Sequence, residues 1–188
     1  MDVTKDKVAL TDTIAVGELE AENIIRRSAM AESLLNGKKL LVVDDEPDIL
    51  AVLEEEILQS CPACTIDKAT NYEKGAELLK TDHYDIVILD IMGVRGFDLL
   101  EIAVSRSFKV GMLTAHALSP EALKKSHDMG ARAYLPKDKL GELVPFLEDI
   151  LQYEYKTGWQ HLMDKLENYF DKTFGSYWKT KAGIQTWY

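Results

Sequence analysis

The chain has 188 residues, of which 46% are hydrophobic and 29% charged, which is typical of one globular domain with extensions. Its 32 acidic and 22 basic residues give a net charge of −10, which would repel a polyphosphate, so we expect no nucleic-acid partner. Residues 1–10 lack the apolar core of a secretion signal, and no stretch approaches 18 apolar residues. We therefore expect a cytoplasmic protein without a membrane span.

The N-terminal residues 1–37 precede the main pattern of the chain. Residues 18–35 are mostly good helix formers, and Asn36-Gly37 is a typical helix stop. We interpret residues 1–37 as an N-terminal helical extension outside the main sheet.

From residue 38, short apolar runs alternate with helical patterns. The runs predict strands at residues 40–43, 65–68, 84–89, 110–113 and 131–135. Helical patterns begin near Pro47, Thr70, Phe97, Ser119 and Lys139. Five strand–helix units with short connections predict an α/β fold, in which a five-stranded parallel sheet carries helices on both faces.

Two local signals predict where helices begin and end. Thr70, followed three residues later by Glu73, is a candidate capping box at the start of the second helix. Thr157-Gly158 predicts a break between the last helix of the sheet region, expected over residues 139–156, and a further helix. The predicted domain division is therefore 1–37, 38–156 and 157–188.

The residues 157–188 form an aromatic-rich helical extension. Its apolar residues Trp159, Leu162, Leu166 and Phe170 keep helical spacing. Such a stripe must be covered, either by the rest of the same chain or by a second copy in a homodimer. We favour folding back onto the same chain because the connecting turn is short.

Polar residues stand at the ends of four predicted strands. They are Asp44 and Asp45 after the first strand, Asp90 after the third, Thr114 and Ala115 after the fourth, and Lys137 after the fifth. The carboxyl ends of parallel strands line one edge of a sheet, and ligands bind at that edge. We therefore expect these side chains to converge there.

This set of side chains points to phosphoryl chemistry. Three carboxylates brought close together repel one another, and Mg²⁺ relieves the repulsion because it binds through carboxylates, water and phosphate oxygens. Beside Mg²⁺, Asp90 is a candidate nucleophile for a phosphoryl group. The Lys137 ammonium, the Thr114 hydroxyl and the Ala115 amide would stabilise the charge on its equatorial oxygens.

Residues 38–155 resemble the receiver domain of response regulators in two-component signalling. The matching positions are Asp44-Asp45, Asp90, Thr114-Ala115 and Lys137, in that order along the chain. Tyr134 stands where the family keeps its switch aromatic, and Thr114 stands where it keeps its switch hydroxyl.

The resemblance implies a flavodoxin-like sheet with strand order 2-1-3-4-5. It also implies phosphoryl transfer to Asp90 from a sensor histidine kinase or a phosphotransfer protein. Mg²⁺ would be held by Asp45, Asp90 and the carbonyl of Met92, with Asp44 acting mainly through water. The output would be contact with an unknown downstream protein.

Two stretches depart from the family pattern. The family usually carries Met-Pro and then a glycine after its acceptor aspartate, whereas residues 91–96 lack the proline and reach Gly96 about two residues early. The loop over the phosphate is therefore expected to be short. The usual Lys-Pro is replaced by Pro136-Lys137-Asp138, so a cis bond after the lysine is not expected.

We therefore predict a phosphoryl-accepting signalling domain, limited to self-phosphorylation and slow autodephosphorylation, rather than an enzyme. One alternative is a Mg²⁺-dependent phosphatase with an aspartyl phosphoenzyme, but that chemistry favours an aspartate where this chain has Met92. Another is a small-molecule-binding flavodoxin-like module, which would need a Ser/Thr/Gly-rich loop where this chain has Asp44-Asp45-Glu46.

The two cysteines, Cys61 and Cys64, have the spacing of a redox motif. They follow a predicted helix and lead into a strand, whereas a reactive dithiol opens a helix, whose N-terminus lowers the thiol pKa. A zinc site would need two further ligands, and the histidines are scattered along the chain. We interpret the pair as part of a plain connection with small buried thiols.

Overall fold

The computed structural model describes residues 33–115 and 119–184. The predicted N-terminal helix over residues 18–35 therefore falls almost entirely outside the described residues, as do Trp187 and Tyr188. Leu34 and Leu35, which end that predicted segment, lie in a turn directly before the first strand.

The strands form one parallel sheet. Their bounds are β1 (Lys39–Val43), β2 (Thr65–Ala69), β3 (Ile86–Asp90), β4 (Lys109–Thr114) and β5 (Ala133–Pro136). The order across the sheet is β2-β1-β3-β4-β5, and every neighbouring pair is parallel. The predicted fold class and strand order are confirmed.

Helices cover both faces of the sheet. They are α1 (Pro47–Ser60), α2 (Tyr72–Thr81), α3 (Gly96–Ser105), α4 (Pro120–Asp128), a 3₁₀ helix (Lys137–Glu142), α5 (Leu143–Gln152), α6 (Tyr155–Phe174) and α7 (Trp178–Ala182). On one face α1 packs against α5, and on the other α2 packs against α3. None of the helices within the described ranges combines the length and apolar character needed to cross a bilayer.

Burial of the central strands explains their unbroken apolar sequences. All five residues of β3 are buried, because it lies between β1 and β4 and is covered on both faces. The register pairs Val43 with Leu89, and Asp90 with Leu113. The polar residues that end β1 and β3 therefore reach the same edge of the sheet.

The predicted capping box at the start of α2 is wrong by one residue. Asn71 is the N-cap, and its side chain accepts a hydrogen bond from the backbone N–H of Lys74 at 2.9 Å. Asparagine caps a helix at least as well as threonine, so the neighbouring residue takes the role predicted for Thr70.

The predicted break at Thr157-Gly158 is also wrong, because both residues lie inside α6. The chain breaks instead at Tyr153 and Glu154, which both have extended backbone angles. This turn lets the Tyr153 ring stack on His161 with 4.0 Å between ring centroids. A glycine inside a helix costs only about 1 kcal/mol, which the packing of α6 can offset.

The C-terminal extension folds back over the edge strand of its own chain, as predicted. Trp159, Leu162, Leu166 and Phe170 are all buried. The helix α6 packs against α5 and β5, while α7 packs against α4. The indole N–H of Trp159 donates to the carbonyl of Ala131 at 2.9 Å. The helix thus covers β5, whose outer edge would otherwise be open.

The interpretation of the two cysteines as small buried thiols is confirmed. Both are free and buried, and the Cys64 thiol donates to the carbonyl of Leu35 at 3.0 Å. Burial and the neighbouring Cys61 raise the pKa of Cys64 to about 12. A reactive thiolate is therefore disfavoured near neutral pH.

Replacing Leu166 by Ala should lower the free energy of unfolding by about 2–5 kcal/mol, because the buried side chain leaves a cavity. Chemical denaturation followed by circular dichroism measures this change. The matched control is Lys172→Ala on the exposed face of α6, which should change stability by no more than about 0.5 kcal/mol. If Leu166→Ala instead converted a dimer into a monomer in solution without changing the stability, a second copy of the chain would be shown to cover α6.

Candidate functional site

An acidic cluster lies where β1 and β3 end. Asp44, Asp45 and Asp90 each offer one carboxylate oxygen, and these three atoms lie within 4.8 Å of one another. Asp44 is fully buried and Asp90 is only 4% exposed, whereas Asp45 is exposed. Parallel pairing of β1 with β3 brings the three residues together, as the sequence predicts.

The ammonium of Lys137 lies inside this cluster. Its Nζ is 2.8 Å from Asp44 Oδ2, 3.3 Å from Asp90 Oδ1 and 2.7 Å from Glu46 Oε1. Burial would lower the pKa of Lys137, but hydrogen bonds with Asp44 and Glu46 outweigh it and raise the pKa. Lys137 therefore stays protonated and compensates part of the negative charge.

Glu46 is a member of the site that the sequence analysis missed. Its carboxylate contacts the ammonium of Lys137, 91 positions away along the chain. The available signal was its place directly after Asp44-Asp45, where three acidic residues stand in a row. The backbone N–H of Glu46 also donates to Asp44 Oδ1 at 3.0 Å, which orients the buried carboxylate.

The charge balance of the site suits a divalent cation. Burial raises the pKa of Asp90 above its ordinary value, and Asp44 adds to the rise, while Lys137 opposes it. Within the described part of the chain, the four carboxylates of Asp44, Asp45, Asp90 and Glu46 meet one ammonium, that of Lys137. A hard cation bound through carboxylate oxygens would reduce this repulsion, and these are the donors that Mg²⁺ prefers.

Two glycines allow the short loop after β3. Gly93 has φ +44°, and a Cβ at this position would lie 2.0 Å from Asp45 Oδ1. At Gly96, a Cβ would lie 2.0 Å from the carbonyl oxygen of Asp90. Because larger residues would collide there, the loop can fold close to both carboxylates. The sequence predicts a short loop here, but nothing in it indicates that Gly93 lies against Asp45.

Met92 lies at the tip of this loop, where its side chain is 55% exposed. Its carbonyl oxygen accepts a hydrogen bond from the backbone N–H of Val94. A carbonyl has two lone pairs, so this bond leaves one for a further donor or a cation.

Thr114 and Tyr134 form a second pair beside the cluster. Thr114 ends β4 and is 1% exposed, and Tyr134 is fully buried in β5. Burial raises the pKa of Tyr134, whereas its hydrogen bonds with the Ser119 backbone and the Thr114 side chain oppose the rise. Ala115 follows Thr114 and is exposed. All peptide bonds within the described ranges are trans, including the one after Lys137.

Known proteins of one family resemble this chain in sequence and in fold. The model of the response regulator receiver domain matches residues 40–148. Two-component response regulator ARR18 of Arabidopsis thaliana is 34% identical over 105 residues, which are 54% of this chain and 16% of that protein. Transcriptional regulatory protein CusR of Escherichia coli strain K12 is 33% identical over 102 residues, which are 53% of this chain and 44% of that protein.

Solved structures show the same fold. The two-component response regulator of the LuxR family from Aurantimonas sp. SI85-9A1 superposes with a TM-score of 0.56 at 19% identity, over 69% of this chain and 98% of that chain. The chain spans less than half of the length of each of the two curated relatives. The chain belongs to the response regulator receiver domain family.

Proposed function

We propose that the chain is a phosphoacceptor response regulator in which Asp90 receives one phosphoryl group. The observation that carries the proposal is the ammonium of Lys137, which lies 3.3 Å from Asp90 Oδ1 in an acidic cluster whose Asp44 and Asp90 are buried. A nucleophilic carboxylate and a fixed cation beside it are what capture of a phosphoryl group requires.

The transfer forms one bond and breaks another. A carboxylate oxygen of Asp90 attacks the phosphorus, and the bond from phosphorus to the donor atom breaks with its electron pair leaving on the donor. Lys137 donates hydrogen bonds to an equatorial phosphoryl oxygen. The hydroxyl of Thr114, at the end of β4, and the backbone amide of Ala115 donate hydrogen bonds to the other equatorial oxygens.

The residues that would hold Mg²⁺ are Asp45, Asp90 and the carbonyl of Met92, with Asp44 acting mainly through water. The bound ion would neutralise charge shared between the carboxylates and the phosphoryl oxygens. The supporting observations are the three clustered carboxylates and the remaining lone pair of the Met92 carbonyl.

The proposed donor is a sensor histidine kinase or a phosphotransfer protein, and the proposed output is contact with a downstream protein. Thr114 and Tyr134 would act as the switch that passes phosphorylation on to the protein surface. The supporting observation is the hydrogen bond between their side chains, which links the end of β4 at the acceptor site to β5. We also propose three segments: an N-terminal extension over 1–37, a receiver domain from residue 38 and a C-terminal extension. The predicted boundary between 156 and 157 falls inside α6, so we place it at the break at Tyr153 and Glu154.

Asp90→Asn should abolish phosphoryl uptake from acetyl phosphate with Mg²⁺, because the amide cannot act as the nucleophile. Intact-mass spectrometry should show the gain of one phosphate in the unmodified chain and none in the variant. The control is Asp164→Asn, an exposed aspartate on α6, which should be labelled normally. Equal labelling of the Asp90 variant would refute the assignment of the acceptor.

Gly93→Ala should weaken Mg²⁺ binding by about 10- to 100-fold, because the added methyl group would displace the carboxylate of Asp45. The measurement is the Mg²⁺ concentration that half-maximally raises the thermal unfolding midpoint. Gly141→Ala is the matched control, since a Cβ there meets no atom within 4 Å. The proposed metal site would be wrong if both variants kept the affinity of the unmodified chain.

Lys137→Ala should lower stability without Mg²⁺ by about 3–5 kcal/mol, because the buried carboxylate of Asp44 loses its partner. Mg²⁺ at a hundred times its Kd should restore up to about 2.7 kcal/mol. Denaturant unfolding with and without Mg²⁺ measures both quantities. The control is Lys74→Ala, which breaks an exposed pair with Glu77 on α2, so it should cost no more than about 1 kcal/mol in either condition.

A further inference from the structure

The helix α6 contacts the chain on both sides of Lys137. Tyr169 donates its hydroxyl hydrogen to the carboxylate of Asp138, whose two oxygens both lie 2.9 Å away. Phe170 packs on Tyr134 with 6.4 Å between ring centroids. Asp138 directly follows Lys137, and Tyr134 precedes it by three residues. Two neighbouring residues of α6 thus contact the segment that carries Lys137.

Phe170 belongs to an aromatic cluster at the end of α6. Phe170 is fully buried and lies 5.4 Å, between ring centroids, from both Phe174 and Trp178. Trp178 in turn donates to Asp171 at 2.8 Å. An aromatic cluster of this kind resists small displacements, because protein interiors are close-packed. The position of α6 is therefore transmitted to Tyr134.

The helical segment that begins at Lys137 is interrupted. Residues Lys137–Glu142 form two short helical pieces joined at a kink, where Lys139 departs from helical angles with φ −110° and ψ 19°. Outside contacts must therefore help to fix where the helix begins. The contact from Tyr169 reaches the residue next to Lys137.

We propose that Tyr169 and Phe170 are positioning residues of the phosphoacceptor site, which hold Lys137 and Tyr134 in the arrangement that receives a phosphoryl group. The inference rests on the proposed function of Asp90. Both residues belong to the C-terminal extension, beyond the residues 40–148 that the family model matches. Binding at the site and docking of α6 are then thermodynamically linked, so each strengthens the other.

The test measures the affinity of the full chain for beryllofluoride, a phosphoryl mimic, by calorimetry in the presence of Mg²⁺. Tyr169→Phe removes only the hydroxyl, and it should weaken binding by about two- to thirtyfold, the range for residues that couple to a site without touching the ligand. Asp138→Ala should have the same effect. The double variant should be no weaker than either single one, because both changes remove one interaction.

The matched control is Lys165→Met on the same helix. Lys165 pairs with Asp149 of α5 at 2.5 Å. It should keep the beryllofluoride affinity of the unmodified chain. A second variant, Phe170→Leu, keeps an apolar side chain but removes the contact with Tyr134, and it should weaken binding as Tyr169→Phe does.

Hydrogen exchange gives a readout that a merely structural role would not change. Beryllofluoride with Mg²⁺ should slow exchange of the α6 amides in the unmodified chain by about two- to thirtyfold, the same factor by linkage. In Tyr169→Phe this slowing should be reduced. If beryllofluoride left the exchange rates of the α6 amides unchanged, the proposal would be overturned, even if Tyr169→Phe lowered the thermal unfolding midpoint.

The outcomes separate this inference from the proposed function. If the unmodified chain binds beryllofluoride and takes up a phosphoryl group, the proposed function stands. Equal affinities of Tyr169→Phe and Lys165→Met would then overturn the positioning role alone. If the unmodified chain binds no beryllofluoride and Asp90 takes up no phosphoryl group, the proposed function itself fails.

Discussion

The ion pairs of Lys137 with buried carboxylates are the interaction on which the rest of the structure depends. Asp44 is fully buried, and a buried carboxylate without a partner is strongly destabilising. Its partner comes from the end of β5, two strands beyond β3 in the sheet. The ammonium can reach Asp44 only if the sheet is complete and in register, so formation of the site and of the fold are coupled.

The loop after β3 shows how closely backbone and side chains must approach at this edge. Gly93 and Gly96 leave space for the carboxylate of Asp45 and the carbonyl of Asp90. Because these two positions carry no side chain, the loop can turn close to both groups.

The C-terminal extension adds a layer that packs on β5. Phe170 of the extension packs on Tyr134 in β5, while Lys137, directly after β5, contacts the acidic cluster. The strand is therefore contacted by charge at its end and by aromatic packing along its face.

The sequence by itself determined the alternation of strands and helices, the residues at the strand ends and the apolar stripe of α6, whereas the strand order was implied by the resemblance to the receiver family. Hydrophobic runs ending in Asp44, Asp90, Thr114 and Lys137 are local patterns, and parallel topology leaves those residues one edge at which to meet. Only the tertiary structure decided the break at Tyr153, the cap at Asn71, the pairing of Glu46 with Lys137 and the hydrogen bond from Tyr169 to Asp138. The last two depend on contacts between residues far apart in the sequence, whose energies cannot be inferred from the residues beside them. The cap at Asn71 is local, but Thr70 and Asn71 are neighbouring candidates with similar capping preferences, and only the structure chose between them.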